Sequence, residues 1–165
     1  MGFWNQRKTL EAGDRAPDFQ LRTLGGEAKS VQAILESGPA VLAFFKVSCP
    51  VCQFTFPFLE RIHQGAGQGG LQLFGVSQDD ERATREYNRE YGVTFPTLLD
   101  ESRKSYPASN AFGISVVPSL LLVEPDGRIS LASNGFSKQD IETLGQRAGV
   151  TPFKPGEQVP EFQPG

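Results

Sequence analysis

Both cysteines of the chain, Cys49 and Cys52, stand two residues apart inside Val41-Leu-Ala-Phe-Phe-Lys-Val-Ser-Cys49-Pro-Val-Cys52-Gln-Phe-Thr-Phe-Pro57. This stretch limits the fold more than any other. Upstream, Val41 to Phe45 is an unbroken apolar run rich in aromatic and branched side chains, the pattern of a buried strand. Downstream, Phe54, Phe58, Leu59 and Ile62 recur at spacings of four, one and three, which predicts a helix. The Cys-x-x-Cys therefore falls where a core strand ends and a helix begins.

A thiol in that place acquires chemistry. Free amides at a helix N-terminus, together with the helix dipole, favour negative charge. A cysteine there is expected to have a depressed pKa, and its thiolate is the reactive form. With the helix starting near Cys49, the first sulfur caps it, and Cys52 sits one turn in, close enough to close a small ring. Pro50 suits the first helical position, where no N–H is needed. The pattern fits thiol–disulfide exchange: Cys49 attacks, a mixed disulfide forms, and Cys52 resolves it. No cofactor is expected beyond the redox-active pair itself. Two plainer readings compete. One is a pair of ordinary core cysteines. The other is half of a zinc site, which needs four ligands and finds only His63 besides.

With three further segments, this stretch resembles the thioredoxin superfamily. The branch is the one that spans TlpA-like thiol–disulfide oxidoreductases and the alkyl hydroperoxide reductase/thiol-specific antioxidant (AhpC/TSA) proteins. The segments are Gly13-Asp-Arg-Ala-Pro17-Asp-Phe19-Gln-Leu21, Gly113-Ile-Ser-Val-Val117-Pro118-Ser-Leu and Glu124-Pro-Asp-Gly127-Arg-Ile. The resemblance runs from about residue 10 to 149. It implies an α/β, thioredoxin-like fold: a central mixed β-sheet with helices on both faces and an N-terminal β-hairpin extension. It also implies a cis bond between Val117 and Pro118, beside the cysteines, with the backbone of Val117 open to an extended substrate. The competing reading is a proline that merely opens a strand.

The resemblance sets expectations for the surrounding residues too. Pro50 and Val51, between the cysteines, tune the redox potential. Lys46, three residues before Cys49, either stabilises the thiolate by its charge or points to solvent. Relatives often carry a buried carboxylate near the positions of Ala43 and Thr55; neither residue here titrates, which leaves water, Lys46 or an acid such as Asp100 for proton transfer. Peroxiredoxins place Thr or Ser three residues before the reactive cysteine and use an Arg from a later strand. Lys46 and Pro118 stand at those places. Thiol–disulfide exchange is therefore the expected activity. Thiol peroxidase (antioxidant) activity and a non-enzymatic binding module of the same fold are the alternatives; copper delivery would want a wider cysteine spacing and a further His. The implied partners are protein or small-molecule thiols and disulfides, and an upstream reductase.

At 165 residues the chain is expected to form one domain. Its charges are interspersed, with a net of −3, and no basic block suggests nucleic acid. Two cysteines are too few for a disulfide framework. No apolar run reaches the length of a membrane span. Arg7 and Lys8 are followed by no apolar stretch, so the N-terminus does not read as a secretory signal. A cytoplasmic location is expected, or a periplasmic one if a leader was removed.

Residues 1–12 read as an N-terminal arm with Trp4 packing on the body, 13–149 as the thioredoxin-like domain, and 150–165 as a Pro/Gly-rich C-terminal tail. Within the domain the expected order is a strand from Ala16 to Leu21, a return at Lys29 to Val31 and a short helix capped by Ser30. The core strand and a redox helix from about Cys49 to Gln64 follow, with Pro57 expected to kink that helix. Next come a strand from Leu71 to Ser77 and a charged helix from Asp80 to Tyr91. Thr94 to Leu99 reads as extended and Ser105 to Phe112 as a short helix. A hairpin from Ser119 to Ser133 precedes a last helix, Lys138 to Ala148, capped by Ser137 and stopped by Gly149. The glycine-rich run 65–70 follows a helix and precedes a strand, the reverse of a phosphate-binding loop. In the tail, Gly156, Pro160, Phe162 and Gln163 repeat the spacing of Gly13, Pro17, Phe19 and Gln20. This reads best as coincidence or a simple tail, with mimicry of the opening strand or pairing on an edge of a neighbouring molecule as the alternatives.

Overall fold

All six side chains of β3 (Ala40–Phe45) are buried, and their alternation divides the interior into two cores. Val41, Ala43 and Phe45 face one layer, where Cys52, Phe56, Leu59 and Ile62 of α2 (Pro50–Gly65) meet Ile141 and Leu144 of α5 (Lys138–Ala148). Ala40, Leu42 and Phe44 face the other, packed by Val31 and Ile34 of α1 (Val31–Leu35) and by Ala108 and Phe112 of α4 (Pro107–Phe112). The period of two along a strand is what lets one strand serve both layers. Burying large side chains such as Phe44, Phe45 and Phe56 stabilises by roughly 2–3 kcal/mol each. The computed structural model describes residues 9–67 and 70–165. Trp4 with most of the arm, and Gln68 and Gly69 of the glycine-rich run, lie outside them.

β1 (Gln20–Thr23) and β2 (Ala28–Ser30) form the N-terminal hairpin. With β4 (Gln72–Ser77), β5 (Thr97–Leu99), β6 (Ser119–Val123) and β7 (Ile129–Asn134), the seven-stranded sheet has the order β2-β1-β5-β4-β3-β6-β7. β3 runs parallel to β4, and β4 to β5, while the pairs β3–β6, β6–β7 and β1–β5 are antiparallel. Helices cover both faces of this mixed sheet, the thioredoxin-like arrangement. α3 (Glu81–Glu90) is capped by Asp80, whose carboxylate accepts the Ala83 N–H at 2.8 Å.

Differences from the expected elements have local causes. The first strand starts at Gln20 rather than Ala16 because the preceding residues pair elsewhere: Gly13 N–H donates to Ile129 O and Ala16 N–H to Gly127 O, both at 2.8 Å. α4 starts at Pro107 rather than Ser105. Proline fits the first helical position and disfavours the right-handed helical region for the residue before it; Tyr106 lies outside that region, in the left-handed one at φ +49. A 3₁₀ turn, Ser102–Lys104, precedes it.

The tail adds structure that periodicity does not announce. Phe153 packs edge-on against Phe58 of α2, with ring centroids 4.9 Å apart. Glu157 binds Arg61 of α2 through both carboxylate oxygens, at 2.7 and 3.0 Å. β8 (Phe136–Ser137) then pairs antiparallel with β9 (Phe162–Gln163) in a separate two-stranded sheet. The shared spacing with 13–20 brings no shared setting: Phe19 is buried in the α1/α4 core, while Phe162 is 56% exposed.

The Arg61 guanidinium, then the Lys154 amide, hold the Glu157 carboxyl down at about 2 against an ordinary value of 4.5. A carboxylate whose folded value is depressed contributes stability that is complete above its unfolded value and lost as pH falls through the folded one. The stability difference between the protein and Glu157→Gln, read from urea midpoints, should therefore be constant from neutral pH to about 5 and shrink between about 4.5 and 2. A difference that grows on acidification would contradict this anchor.

Candidate functional site

The loop that joins β3 to α2 is held from two sides. Val47 N–H donates to the Asp79 carboxylate at 2.8 Å, and Val47 O accepts from the Gln53 side-chain amide at 2.9 Å. Cys49 N–H closes back onto Lys46 O at 3.2 Å. These bonds fix where α2 begins. Cys49 is its N-cap in extended conformation (φ −83, ψ 114), Pro50 occupies the first turn, and the Cys49 sulfur accepts the Cys52 N–H at 3.2 Å. An oriented amide and the aligned helix peptides both stabilise charge on that sulfur.

The two sulfurs differ in environment. Cys49 is partly exposed, whereas Cys52 is fully buried. Burial, and secondarily the hydrogen bond with Cys49, push the Cys52 thiol well above its ordinary value, so it keeps its proton at neutral pH. Across from them the Val117–Pro118 peptide bond is cis. Val117 O lies 3.5 Å from the Cys49 sulfur and accepts its S–H. Val117 is half-buried and Pro118 buried. Cys49, Cys52, Val117 and Pro118 thus come together as the resemblance implied, with Pro50 exposed and Val51 half-buried at the helix start.

Lys46 is exposed. With Gln78, Tyr106, Asn110 and Val117 it borders a groove of about 260 Å³ beside the thiols. Thr55 is buried and donates to Val51 O at 2.6 Å, and Ala43 is fully buried, so the positions expected to titrate in relatives carry no ionisable group. Asp100 is buried for another reason. Its oxygens accept the Ala108 and Ser109 amides at 2.9 and 2.8 Å and hold the start of α4. His63, near the far end of α2, packs edge-on against Phe95 at 5.9 Å.

Three contributors are not read from the sequence. Asp79 and Gln53, which clamp Val47, look like an ordinary helix-start acid and an ordinary helix-surface amide. Tyr87 lies on the charged α3, but its ring is buried against Phe45 at 4.8 Å and Phe56 at 5.6 Å. Its hydroxyl has no hydrogen-bond partner among the described residues. Burial first, then the charges of Cys52 and Cys49, raise its pKa. The available signal was its position, one turn from Thr84 and Tyr91 on the apolar edge of that helix.

Comparison with known proteins agrees with this geometry. The model of the AhpC/TSA family matches residues 12–132. Thiol-disulfide oxidoreductase ResA of Halalkalibacterium halodurans is 27% identical over 142 residues, which cover 85% of this chain and 78% of that protein. The thiol:disulfide interchange protein HelX of Rhodobacter capsulatus is 30% identical over 142 residues, 84% of this chain and 77% of that one. The thioredoxin domain of a thiol-disulfide oxidoreductase from Bacteroides vulgatus superposes with a TM-score of 0.72 at 20% identity, covering 85% of this chain and 99% of that domain. At that identity the superposition bears on the fold.

The difference between the sulfurs is directly measurable. At neutral pH iodoacetamide should alkylate Cys49 at least about tenfold faster than Cys52, as an exposed, helix-capping sulfur reacts ahead of a buried protonated one. Mass spectrometry of the labelled peptides reads both rates. Equal rates would contradict the asymmetry.

Proposed function

The chain belongs to the AhpC/TSA family, and on that premise we infer that it is a thiol–disulfide oxidoreductase working through Cys49 and Cys52. The observation that carries this reading is the double setting of the Cys49 sulfur, against the Cys52 amide at 3.2 Å and beside Val117 O at 3.5 Å. The first contact favours the thiolate. The second places it beside the backbone of the bend that carries the cis Val117–Pro118 bond.

In the reductive direction the Cys49 thiolate attacks one sulfur of a partner disulfide. An S–S bond forms between Cys49 and that sulfur, and the partner's other sulfur leaves as a thiolate. Cys52 then gives its proton to the departing thiolate and attacks the Cys49 sulfur. The mixed disulfide breaks, the partner's second sulfur leaves, and Cys49–Cys52 carries the oxidised state. Two electrons have moved to the partner. An upstream reductase or small thiol restores the pair by the reverse sequence. The elevated pKa of the Cys52 thiol, held up chiefly by its burial, fits the order of events: it keeps its proton while Cys49 attacks and gives it up only to the departing thiolate.

The site is poorly equipped for peroxide. Reducing a peroxide needs donors aimed at the leaving oxygen as the O–O bond breaks. Lys46 is exposed, and Pro118 has neither an N–H nor a polar side chain. Disulfide exchange requires no such array.

Cys52→Ser should accumulate a covalent adduct with a disulfide-bonded peptide, because the resolving sulfur is gone, while Cys49→Ser should form little. Intact-mass measurement without reductant reads the adduct. Trapping by Cys49→Ser instead would reverse the two roles.

A further inference from the structure

The tail reaches the thiol site. β9 runs antiparallel to β8, with Gln163 opposite Phe136, and Lys138 N–H donates to Glu161 O at 3.0 Å. The chain beyond Gln163 is thereby directed at Gly135. A Cβ placed on Gly135 would stand 2.5 Å from Gln163 O and 3.1 Å from Gly165 N, so only a glycine lets the tail lie this close. Gly135 in turn donates its N–H to Pro118 O at 2.8 Å. The last contact is the closest to the chemistry. A Cβ on Gly165 would stand 2.2 Å from Val117 O and 2.6 Å from Val116 Cγ1. Gly165 therefore lies flush against the carbonyl that the Cys49 thiol meets at 3.5 Å.

We propose that residues 161–165 are an intramolecular competitor for the backbone edge at Val117, so that the docked tail admits small disulfides and holds back protein disulfides. The proposal rests on the exchange activity inferred above and specifies its substrate class. An extended peptide gains affinity by pairing its backbone with an exposed edge. The tail already lies against that position: its backbone pairs with β8 and Gly165 abuts Val117 O, while the side chain of Phe162 stays 56% exposed. Its anchors are Phe153 against Phe58 and Glu157 on Arg61. An anchored segment competes at a high effective concentration that a free peptide must overcome. Cys49 itself stays partly exposed, so a small disulfide needs no edge to reach it. A protein disulfide must wait for the tail to leave.

The test uses the full chain and two substitutions that loosen the tail differently. Gly165→Val puts a branched side chain against Val117 O, and Gln163→Pro removes a backbone N–H from β9 and fixes its φ. Stopped-flow rates are taken for the reduced protein with a small aromatic disulfide and with a disulfide-linked peptide. A tail docked about nine-tenths of the time leaves about one-tenth of molecules competent, so both variants should react about tenfold faster with the peptide. Their rates with the small disulfide should match the unmodified protein. An unchanged or slower peptide rate in both variants overturns the proposal, as does an equal gain with both disulfides. Failure of the unmodified protein to react with the small disulfide at all is a different result; it removes the exchange activity, and this proposal with it.

Discussion

A single hydrogen bond, from the Cys52 amide to the Cys49 sulfur, marks the point at which the central strand becomes the redox helix. Much of the molecule serves to keep it in place. β3 is buried on both faces and cannot shift without disturbing two cores. The Asp79 carboxylate and the Gln53 amide pin Val47 between strand and helix. The first turn of α2 then has one orientation, and its Cys52 amide points at the Cys49 sulfur. The same turn carries Cys52 down into the core, where burial keeps its thiol protonated. One short junction thus produces an exposed sulfur suited to attack and a buried one suited to wait.

β6 supplies the other half of the site. It lies antiparallel beside β3, so its start reaches the end of the sheet from which Cys49 projects. Val117 therefore meets the sulfur from the opposite side. That side also receives the tail, through Gly135 and the β8–β9 pair. The reactive sulfur, the edge available to a partner and the tail that lies on it all converge on one carbonyl.

The strand–thiol–helix order was legible because each part leaves a local signature: an unbroken apolar run, a proline at the first helical position and a helical recurrence of Phe and Leu. Two capping residues were legible for the same reason, Ser30 and Ser137, each accepting an amide three residues on. The tail was harder to read. Its Pro and Gly content signals irregular backbone, and its anchors, Arg61 with Glu157 and Phe58 with Phe153, join residues far apart in the chain. Tyr87 was hidden in a helix whose composition is dominated by charge; only its packing against Phe45 and Phe56 brings its hydroxyl into the redox core. Asp79 and Asp80 are adjacent acids with different tasks, a loop clamp and a helix cap, which composition alone cannot separate.

The central claim is that the Cys49 setting is built for attack on sulfur rather than on peroxide oxygen. Stopped-flow oxidation of the reduced protein by hydrogen peroxide, set beside its reaction with a small disulfide, tests it most directly. The account predicts rapid, Cys49-dependent disulfide exchange and peroxide oxidation no faster than that of an ordinary thiolate, since Lys46 is exposed and Pro118 offers no donor to the leaving oxygen. A Cys49-dependent peroxide rate orders of magnitude above that of a free thiolate would contradict it.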